Sequence, residues 1–440
     1  MARRRTADPA RTAAFRVLRA VTADGAYANL ELAKQRSGLS GADAAFATEL
    51  TAGTCRAMGS YDEIIAAASG RPTRSLQPAV LDALRLGTHQ LLAMRVPAHA
   101  AIAATVDLAA LHVGERVSGV VNAILRRVSA HSLEEWLAQL GSDRDEVGRL
   151  ALAYQHPRWV VEAFAEVVPA GELEALLAAD NRPPVPNLVV RPGLAERSEL
   201  GGEPARYSPF GAYAEGDPGA VPAVAQGRAG VQDEGSQLVA VALARAEAVD
   251  GPWLDLCAGP GGKSALLAGL AMEQGSRLVA SEVAPHRAEL VAANLRSYSG
   301  DHAPVTVVAD GTRPAWGQGV FAKVLADVPC TGLGALRRRP ESRWRRQPSD
   351  LPGLVTLQKA LLASAIASTR PGGVIGYVTC SPHAAETTEV VADAEGVEVL
   401  TAADYLPEVT NAAVGSYLQL WPHRHGTDAM FLALLRKRAR

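Results

Sequence analysis

Two cysteines in the C-terminal half of the chain stand in settings that suit covalent chemistry: Asp327-Val328-Pro329-Cys330-Thr331-Gly332 and Tyr377-Val378-Thr379-Cys380-Ser381-Pro382. Each follows an apolar run with strand character, so each falls where a strand gives way to a loop, whereas structural cysteines more often sit buried within an element. A thiolate is a strong nucleophile and can split one difficult substitution into two easier ones through a covalent intermediate. A free cysteine has a pKa of about 8.5 and is only a few per cent ionised at neutral pH, so a site must favour ionisation or take the proton at the moment of attack. A second thiol or a base must then release the adduct. Two cysteines in one crevice fit that division of labour, and their spacing leaves open which attacks and which releases. The plain alternative is two small residues packed beside turns. His383 reads as a turn cap in preference to a base.

One substitution that needs such chemistry is methylation of carbon 5 of a cytosine. That carbon is a poor nucleophile until a thiolate adds at carbon 6 and turns the ring into an enamine able to take a methyl group from a sulfonium donor. A site for the donor is suggested by Cys257-Ala258-Gly259-Pro260-Gly261-Gly262-Lys263, a glycine-rich turn between a strand-like run and a helix. Such a turn lets a ligand approach the backbone closely beside a helix N-terminus. A phosphate-binding P-loop would need glycine at the position of Cys257, and the dinucleotide pattern is incomplete, so neither nucleotide motif applies. The next strand-like run ends in Glu282, about 20 residues beyond the turn, where a carboxylate can accept hydrogen bonds from ribose hydroxyls. The following runs end in Asp310, suited to an adenine amino group, and in Asp327. Acids that end successive parallel strands line one crevice at the carboxyl edge of the sheet.

Between the two cysteines lies a run holding Arg337, Arg338, Arg339, Arg343, Trp344, Arg345 and Arg346, with Glu341 as its lone acid. Guanidinium groups suit phosphates and an indole can stack on a base, so the run is expected to form a local RNA groove. The alternative is a solvated charged surface. Global charge gives no such attraction, because the formal net charge is only −2.

The elements that must position these residues are legible as patterns. Residues from about 8 to 135 are helical in periodicity, most clearly where Val117, Val120, Val121, Ile124, Leu125 and Val128 form one apolar stripe that leaves Arg126 and Arg127 off it. Around 181–230 prolines such as Pro183, Pro184, Pro186 and Pro192 interrupt short apolar runs, which suggests a linker or a small α+β subdomain. From about 233 onward, apolar runs at 253–256, 277–280, 305–308, 324–326 and 374–378 alternate with helical segments, the mark of a doubly wound α/β domain. The expected organisation is therefore an all-α bundle over 1–140, a linker and small subdomain over 141–232, and a Rossmann-like α/β domain over 233–440. The four cysteines form no CxxC pair, so neither a disulfide scaffold nor a metal site is expected. With 48% hydrophobic and 20% charged residues, no charge-free apolar stretch of membrane-spanning length and no apolar segment after the basic N-terminus, the chain reads as a soluble, cytoplasmic protein without a membrane partner, and as a monomer.

At these motifs the chain resembles the RsmB/Sun family of bacterial 16S ribosomal RNA cytosine-C5 methyltransferases. DLCAGPGGKS (255–264) resembles its cofactor motif, DVPCTGLGALRRRPESRW (327–344) its proline-cysteine motif, and YVTCSPH (377–383) its second cysteine motif, while VVNAILRR (120–127) in a helical N-terminal part resembles its NusB-like RNA-binding domain. The resemblance covers nearly the whole chain. It implies S-adenosylmethionine as cofactor, with 16S ribosomal RNA or a small-subunit precursor as substrate. It further implies Cys380 as the nucleophile at carbon 6, Cys330 as the residue that assists release, and Asp327 beside the target base or the methionine end of the cofactor. Glu282 would hold the ribose, Asp310 the adenine region, and Lys263 and Arg287 would lie near cofactor and target. Residues 423–437 look like the family's closing strand. The glycine turn has Gly259 where the family usually has alanine, and the acidic Glu-Asn pair usual after the second cysteine is absent, which leaves Glu386 without a role. Two other readings are a transfer-RNA cytosine methyltransferase, since the catalytic motifs are shared, and a non-catalytic RNA-binding assembly factor.

Overall fold

A computed structural model describes residues 8–439, which divide into two compact units: 8–181 together with Leu336–Gln347, and 182–335 together with 348–439.

The first unit is built on helices α1 (Pro9–Asp24), α2 (Ala28–Gln35), α3 (Gly41–Ser69), α4 (Pro78–Leu92), α5 (Ala98–His112), α6 (Ser118–Val128), α7 (Leu133–Gly141), α8 (Glu146–Ala153), α9 (Arg158–Val167) and α10 (Leu173–Asp180). The caps explain several of these boundaries. Asp8 accepts from Arg11 N ahead of Pro9 and Gly25 closes α1 at φ 67°; Ser40 caps α3; and Ser132 with Glu135 forms a reciprocal capping box on α7. The expected stripe forms α6, with Val121, Ile124, Leu125 and Val128 buried in one core with Leu18, Leu50, Ile64, Leu84 and Leu86. Arg126 and Arg127 face solvent. Helices continue to Asp180, so the compact helical unit extends past the expected 1–140 bundle to residue 181.

The arginine run departs most from expectation, because it folds with the helical unit. Arg343 is completely buried and donates to the carbonyls of Gln155 (2.9 Å) and Asp180 (3.3 Å) and to Asn181 Oδ1 (2.8 Å). The Trp344 indole N–H donates to the Cys55 carbonyl at 2.8 Å, and its ring fills the space over Gly59, where a Cβ would come within 2.2 Å. Arg339 and Arg345 lie 4.8 and 4.9 Å from the Tyr27 ring centre, and Arg345 also donates to the Ala26 carbonyl. Arg337, Arg338 and Arg346 are partly buried and also have partners. A guanidinium spent on buried carbonyls cannot reach a phosphate, so the RNA groove expected from this run is not formed by Arg343 and Trp344, which anchor the segment instead.

The second unit begins with β1 (Asn187–Val190), β2 (Gly211–Tyr213), α11 (Pro222–Ala225) and β3 (Ala229–Val231), which make a small antiparallel sheet in the order β2-β1-β3. This segment is no free linker, because it is tied to the helix that begins at Glu234. Glu234 accepts from the backbone N–H groups of Tyr207 and Ser208, and Gln237 donates to Asn187 Oδ1 at 2.7 Å. Then come α12 (Glu234–Arg245), β4 (Trp253–Asp255), α13 (Gly262–Glu273), β5 (Leu278–Glu282), α14 (Pro285–Leu295), β6 (Val305–Val308) and β7 (Phe321–Asp327). After α15 (Ser342–Arg345) in the helical unit, the chain returns for α16 (Leu351–Ser368), β8 (Thr369–Thr379), α17 (Thr388–Ala392), β9 (Val397–Leu400), β10 (Ala413–Val414), β11 (Tyr417–Gln419), α18 (Pro422–His425) and β12 (Phe431–Lys437).

The main sheet runs β10-β11-β12-β8-β7-β4-β5-β6, with β9 also on β12; β6 to β8 are parallel and β12 is antiparallel to β8. All five expected parallel strands are present, and the expected closing strand is β12. The order reverses at β4, so a crevice opens at the carboxyl ends of β4 and its neighbours. Helix α16 is long and apolar enough by length and composition to cross a membrane, but it carries Lys359 and buries Leu361, Leu362 and Ala365 against Val324 and Ile375 of the sheet.

Replacing Arg343 with methionine leaves the 155 and 180–181 carbonyls and Asp180 without their buried cation. The helical unit should lose about 3 kcal/mol, read as lost hydrogen-exchange protection across 150–181 and 336–347. Unchanged protection there would contradict this anchoring.

Candidate active site

Strands β7 and β8 are parallel neighbours with Asp327 opposite Val378, so the loops after them leave the sheet side by side. This register brings the Cys330 and Cys380 sulfurs to 3.4 Å, within hydrogen-bond reach as two free thiols. Three contacts fix the loops: Gly334 N–H donates to the Cys380 carbonyl (2.8 Å), Val328 N–H to the Val378 carbonyl (3.0 Å), and Ala429 N–H to the Gly334 carbonyl (2.9 Å). Gly334 is required there, since a Cβ would stand 2.1 Å from the Ala429 oxygen and 2.9 Å from the Cys380 oxygen.

The two thiols are electrostatically unlike. Cys380 is lowered below the ordinary thiol value, chiefly by the hydrogen bond from Cys330; burial, Asp327 and Asp428 oppose this and Lys263 assists it. Cys330 is pushed well up by the same hydrogen bond, by burial, and by the charges of Cys380, Glu386 and Asp327. Burial pushes up the remaining two thiols, Cys55 and Cys257. Cys380 is therefore the one cysteine shifted toward thiolate, the reactive form. Lys263 Nζ lies 2.8 Å from Asp327 Oδ2; burial would lower this ammonium, but the carboxylate outweighs it and holds the lysine above its ordinary value.

The glycine turn lies on the same edge, between β4 and α13. Gly259 N–H donates to Glu282 Oε2 (3.0 Å), Ala284 N–H donates to Glu282 Oε1 (3.0 Å), and Arg287 Nη2 donates to the Gly259 carbonyl (2.7 Å) while standing 3.6 Å from Glu282. At Gly261 the backbone has φ 107° and a Cβ would stand 2.9 Å from the Val291 Cα, so that position needs glycine, whereas a Cβ at Gly259 would meet only the movable ends of Glu282 and Arg287. Asp310 is exposed at the end of β6, where Oδ1 accepts from the Thr312 N–H and hydroxyl, contacts that hold it below the usual carboxylate range. A glycine-rich turn, a helix N-terminus and acids ending β5, β6 and β7 line one edge as a cradle and fit S-adenosylmethionine, for which Glu282 would face the ribose hydroxyls, Asp310 the adenine side, and Asp327 with Lys263 the amino acid end.

Residues expected at the site fall into two groups. Cys330, Cys380, Asp327 and Lys263 gather around the thiols, and Cys257, Ala258, Gly259, Pro260, Gly261, Gly262, Glu282 and Arg287 form the turn with its carboxylate. His383 Nδ1 accepts from Ala385 N–H and caps a short turn. Sequence reading missed Asp255, which is buried, accepts from the Ser264 hydroxyl at 2.7 Å, and is pushed by burial up to about 7. It named Glu386 without a role, and missed Gln358, Thr331 and Ser381, which form a buried cluster with it behind the cysteines. An acid in a strand and polar residues within an apolar helix were the available signals.

A doubly wound sheet with a glycine turn and acids along one carboxyl edge defines an S-adenosylmethionine-dependent methyltransferase. Residues 240–436 match the model of the 16S rRNA methyltransferase RsmB/F family, and residues 8–130 that of the NusB family. Rv1407 of Mycobacterium tuberculosis, named as a methyltransferase with no substrate given, is 51% identical, covering 99% of this chain and 98% of its own. Ribosomal RNA small subunit methyltransferase B of Pseudomonas putida is 34% identical, with 87% of each chain covered. The crystal structure of PH0851 shares the fold with a TM-score of 0.81 at 21% identity, over 98% of this chain and 99% of that one. The chain belongs to the RsmB/F methyltransferase family.

Both the cradle and the thiol electrostatics can be tested directly. Gly261→Ala should weaken S-adenosylmethionine binding by at least about tenfold, or ~1.4 kcal/mol, in calorimetry, with the far-ultraviolet spectrum unchanged; an unaltered Kd contradicts the cradle. A lowered thiol exists as thiolate above its folded pKa and loses reactivity as pH falls through it. Removing the ammonium in Lys263→Met should thus move the pH midpoint of Cys380 alkylation by iodoacetamide upward, whereas a downward shift would contradict the assignment.

Proposed function

We propose that the enzyme methylates carbon 5 of a cytosine in 16S ribosomal RNA through a covalent adduct between Cys380 and carbon 6. The observation that carries this reading is the 3.4 Å approach of Cys330 and Cys380 on the edge that also holds the cofactor turn. S-adenosylmethionine bound at that turn supplies an electrophilic methyl group carried on a sulfonium. Cys380 adds as thiolate to carbon 6, and carbon 5, now an enamine carbon, takes the methyl group. Loss of the carbon 5 proton to a base or water restores the ring double bond, and its electron pair expels Cys380 as thiolate. Cys330 assists that last step: as a thiol it can donate its S–H to the departing sulfur, from which it stands 3.4 Å away in the free protein. Asp327, tied to Lys263, stands beside the reacting groups and orients the base or the amino acid end of the cofactor.

Ribosomal RNA as substrate is supported by the P. putida relative's name and by the NusB-like helical unit. The reading places the enzyme in the cytoplasm, with a small-subunit RNA or precursor as its partner.

With unmodified small-subunit RNA and labelled cofactor, wild type should transfer label and release product. Cys330→Ala should accumulate a protein–RNA species that survives a denaturing gel, and Cys380→Ala should form none. Accumulation in Cys380→Ala and not in Cys330→Ala would reverse the roles, and no transfer by wild type to small-subunit RNA would reject the substrate.

A further inference from the structure

The adduct chemistry leaves unexplained why two thiols 3.4 Å apart should differ, and a buried carboxylate behind them offers the reason. Glu386 has no exposed surface. Its Oε1 accepts from Thr331 N–H (2.8 Å) and from Gln358 Nε2 (3.0 Å), and its Oε2 accepts from the Thr331 hydroxyl. The Ser381 hydroxyl lies 3.0 Å from that of Thr331, and Gln358 Nε2 also donates to the Pro329 carbonyl at 2.9 Å. The Tyr377 hydroxyl donates to the Glu386 carbonyl at 2.7 Å. The residues on both sides of Cys330, and the one after Cys380, are thus tied into a single cluster centred on this side chain.

We propose that Glu386 is a positioning residue that holds the loop of Cys330 against Cys380 and keeps the shared proton on Cys330, leaving Cys380 as the attacking thiolate. The charges around the pair are asymmetric in the required sense. Cys330 faces Cys380, Glu386 and Asp327, all of which oppose its ionisation. Cys380 faces Cys330 and Lys263, which favour its ionisation, and Asp327 and Asp428, which oppose it. The mutual hydrogen bond is the largest cause at both sulfurs and Asp327 opposes ionisation of both, so the charges that bias which sulfur keeps the proton are Glu386 at Cys330, and Lys263 set against Asp428 at Cys380. Hydrogen bonds alone would fix the loop; a carboxylate, rather than an amide, also fixes which sulfur holds the proton.

This inference rests on the proposed covalent reading, but its test needs neither RNA nor turnover, so the two can fail separately. The full-length protein is treated with limiting iodoacetamide between about pH 6 and 10, and the carbamidomethylated peptides are quantified by mass spectrometry. In wild type, Cys380 should be modified well ahead of Cys330. In Glu386→Gln, the ratio of Cys380 to Cys330 modification should fall by about tenfold, the equivalent of one pKa unit, and Glu386→Asp should restore much of it. Thr331→Val removes one hydrogen bond but keeps the charge, and should leave the ratio near that of wild type. A folded Glu386→Gln with the wild-type ratio would overturn the proposal, as would a fall in Thr331→Val equal to that in Glu386→Gln. If Glu386→Gln does not fold, Cys380→Ala supplies the decision. Cys330 there should still titrate above a small-peptide thiol in the same buffer, and a midpoint at or below that thiol overturns the proposal.

Discussion

The site depends on holding two sulfur atoms 3.4 Å apart at the ends of adjacent parallel strands. Nothing in two neutral thiols favours that approach strongly, because S–H is a weak donor and both groups are largely removed from water. The backbone imposes it. Pairing of Asp327 with Val378 sets where each strand ends, and Gly334, with no room for a side chain, lets the loop after Cys330 lie directly on the Cys380 carbonyl. The strands themselves are held by a buried core in which β7 contributes Phe321, Val324 and Ala326 and β8 contributes Ile375 and Tyr377. Geometry at the thiols is therefore a consequence of strand register.

Proximity then turns a small electrostatic difference into a chemical one. Burial disfavours both thiolates, so the charges that remain decide which sulfur ionises. At about 4 Å, and an effective dielectric near 20, one unit charge is worth about 4 kcal/mol, far above the ~1.4 kcal/mol that moves a pKa by one unit. Glu386 beside Cys330 and Lys263 beside Cys380 therefore act in the sense that separates two chemically identical side chains, while Asp327 acts on both alike. The cofactor turn obeys the same logic from the backbone side: Glu282 fixes Gly259 and Ala284 with its two oxygens and keeps lone pairs free for a ligand.

The fold class and the five parallel strands were legible because buried parallel strands are continuous apolar runs, and the turn between β4 and α13 was legible because its glycines cluster where a strand-like run gives way to a helix, with Gly261 at φ 107°. The pair Cys330 and Cys380 could be named from their positions after strands, but their contact could not, since it depends on a register no local pattern encodes. Within the arginine run, Arg343 and Trp344 were misread for a physical reason. A guanidinium looks the same in sequence whether it meets a phosphate or three protein oxygens, and Arg343 meets the latter. The helices after residue 140 were not read because α7 to α10 are each only 8–10 residues long, shorter than the 11-residue α6. Glu386 was seen but given no role, because its partners Thr331 and Gln358 lie far off in sequence.

The central claim is that the Cys380 sulfur becomes bonded to the substrate ring. Its most direct test is to react the wild-type enzyme and S-adenosylmethionine with small-subunit RNA containing 5-azacytidine, which has nitrogen at position 5 and so no proton there to lose, then digest and sequence the crosslinked peptide by mass spectrometry. A nucleotide should be found on the peptide that carries Cys380, while attachment at Cys330, or no crosslink with RNA that the enzyme otherwise methylates, would rule out attack by Cys380.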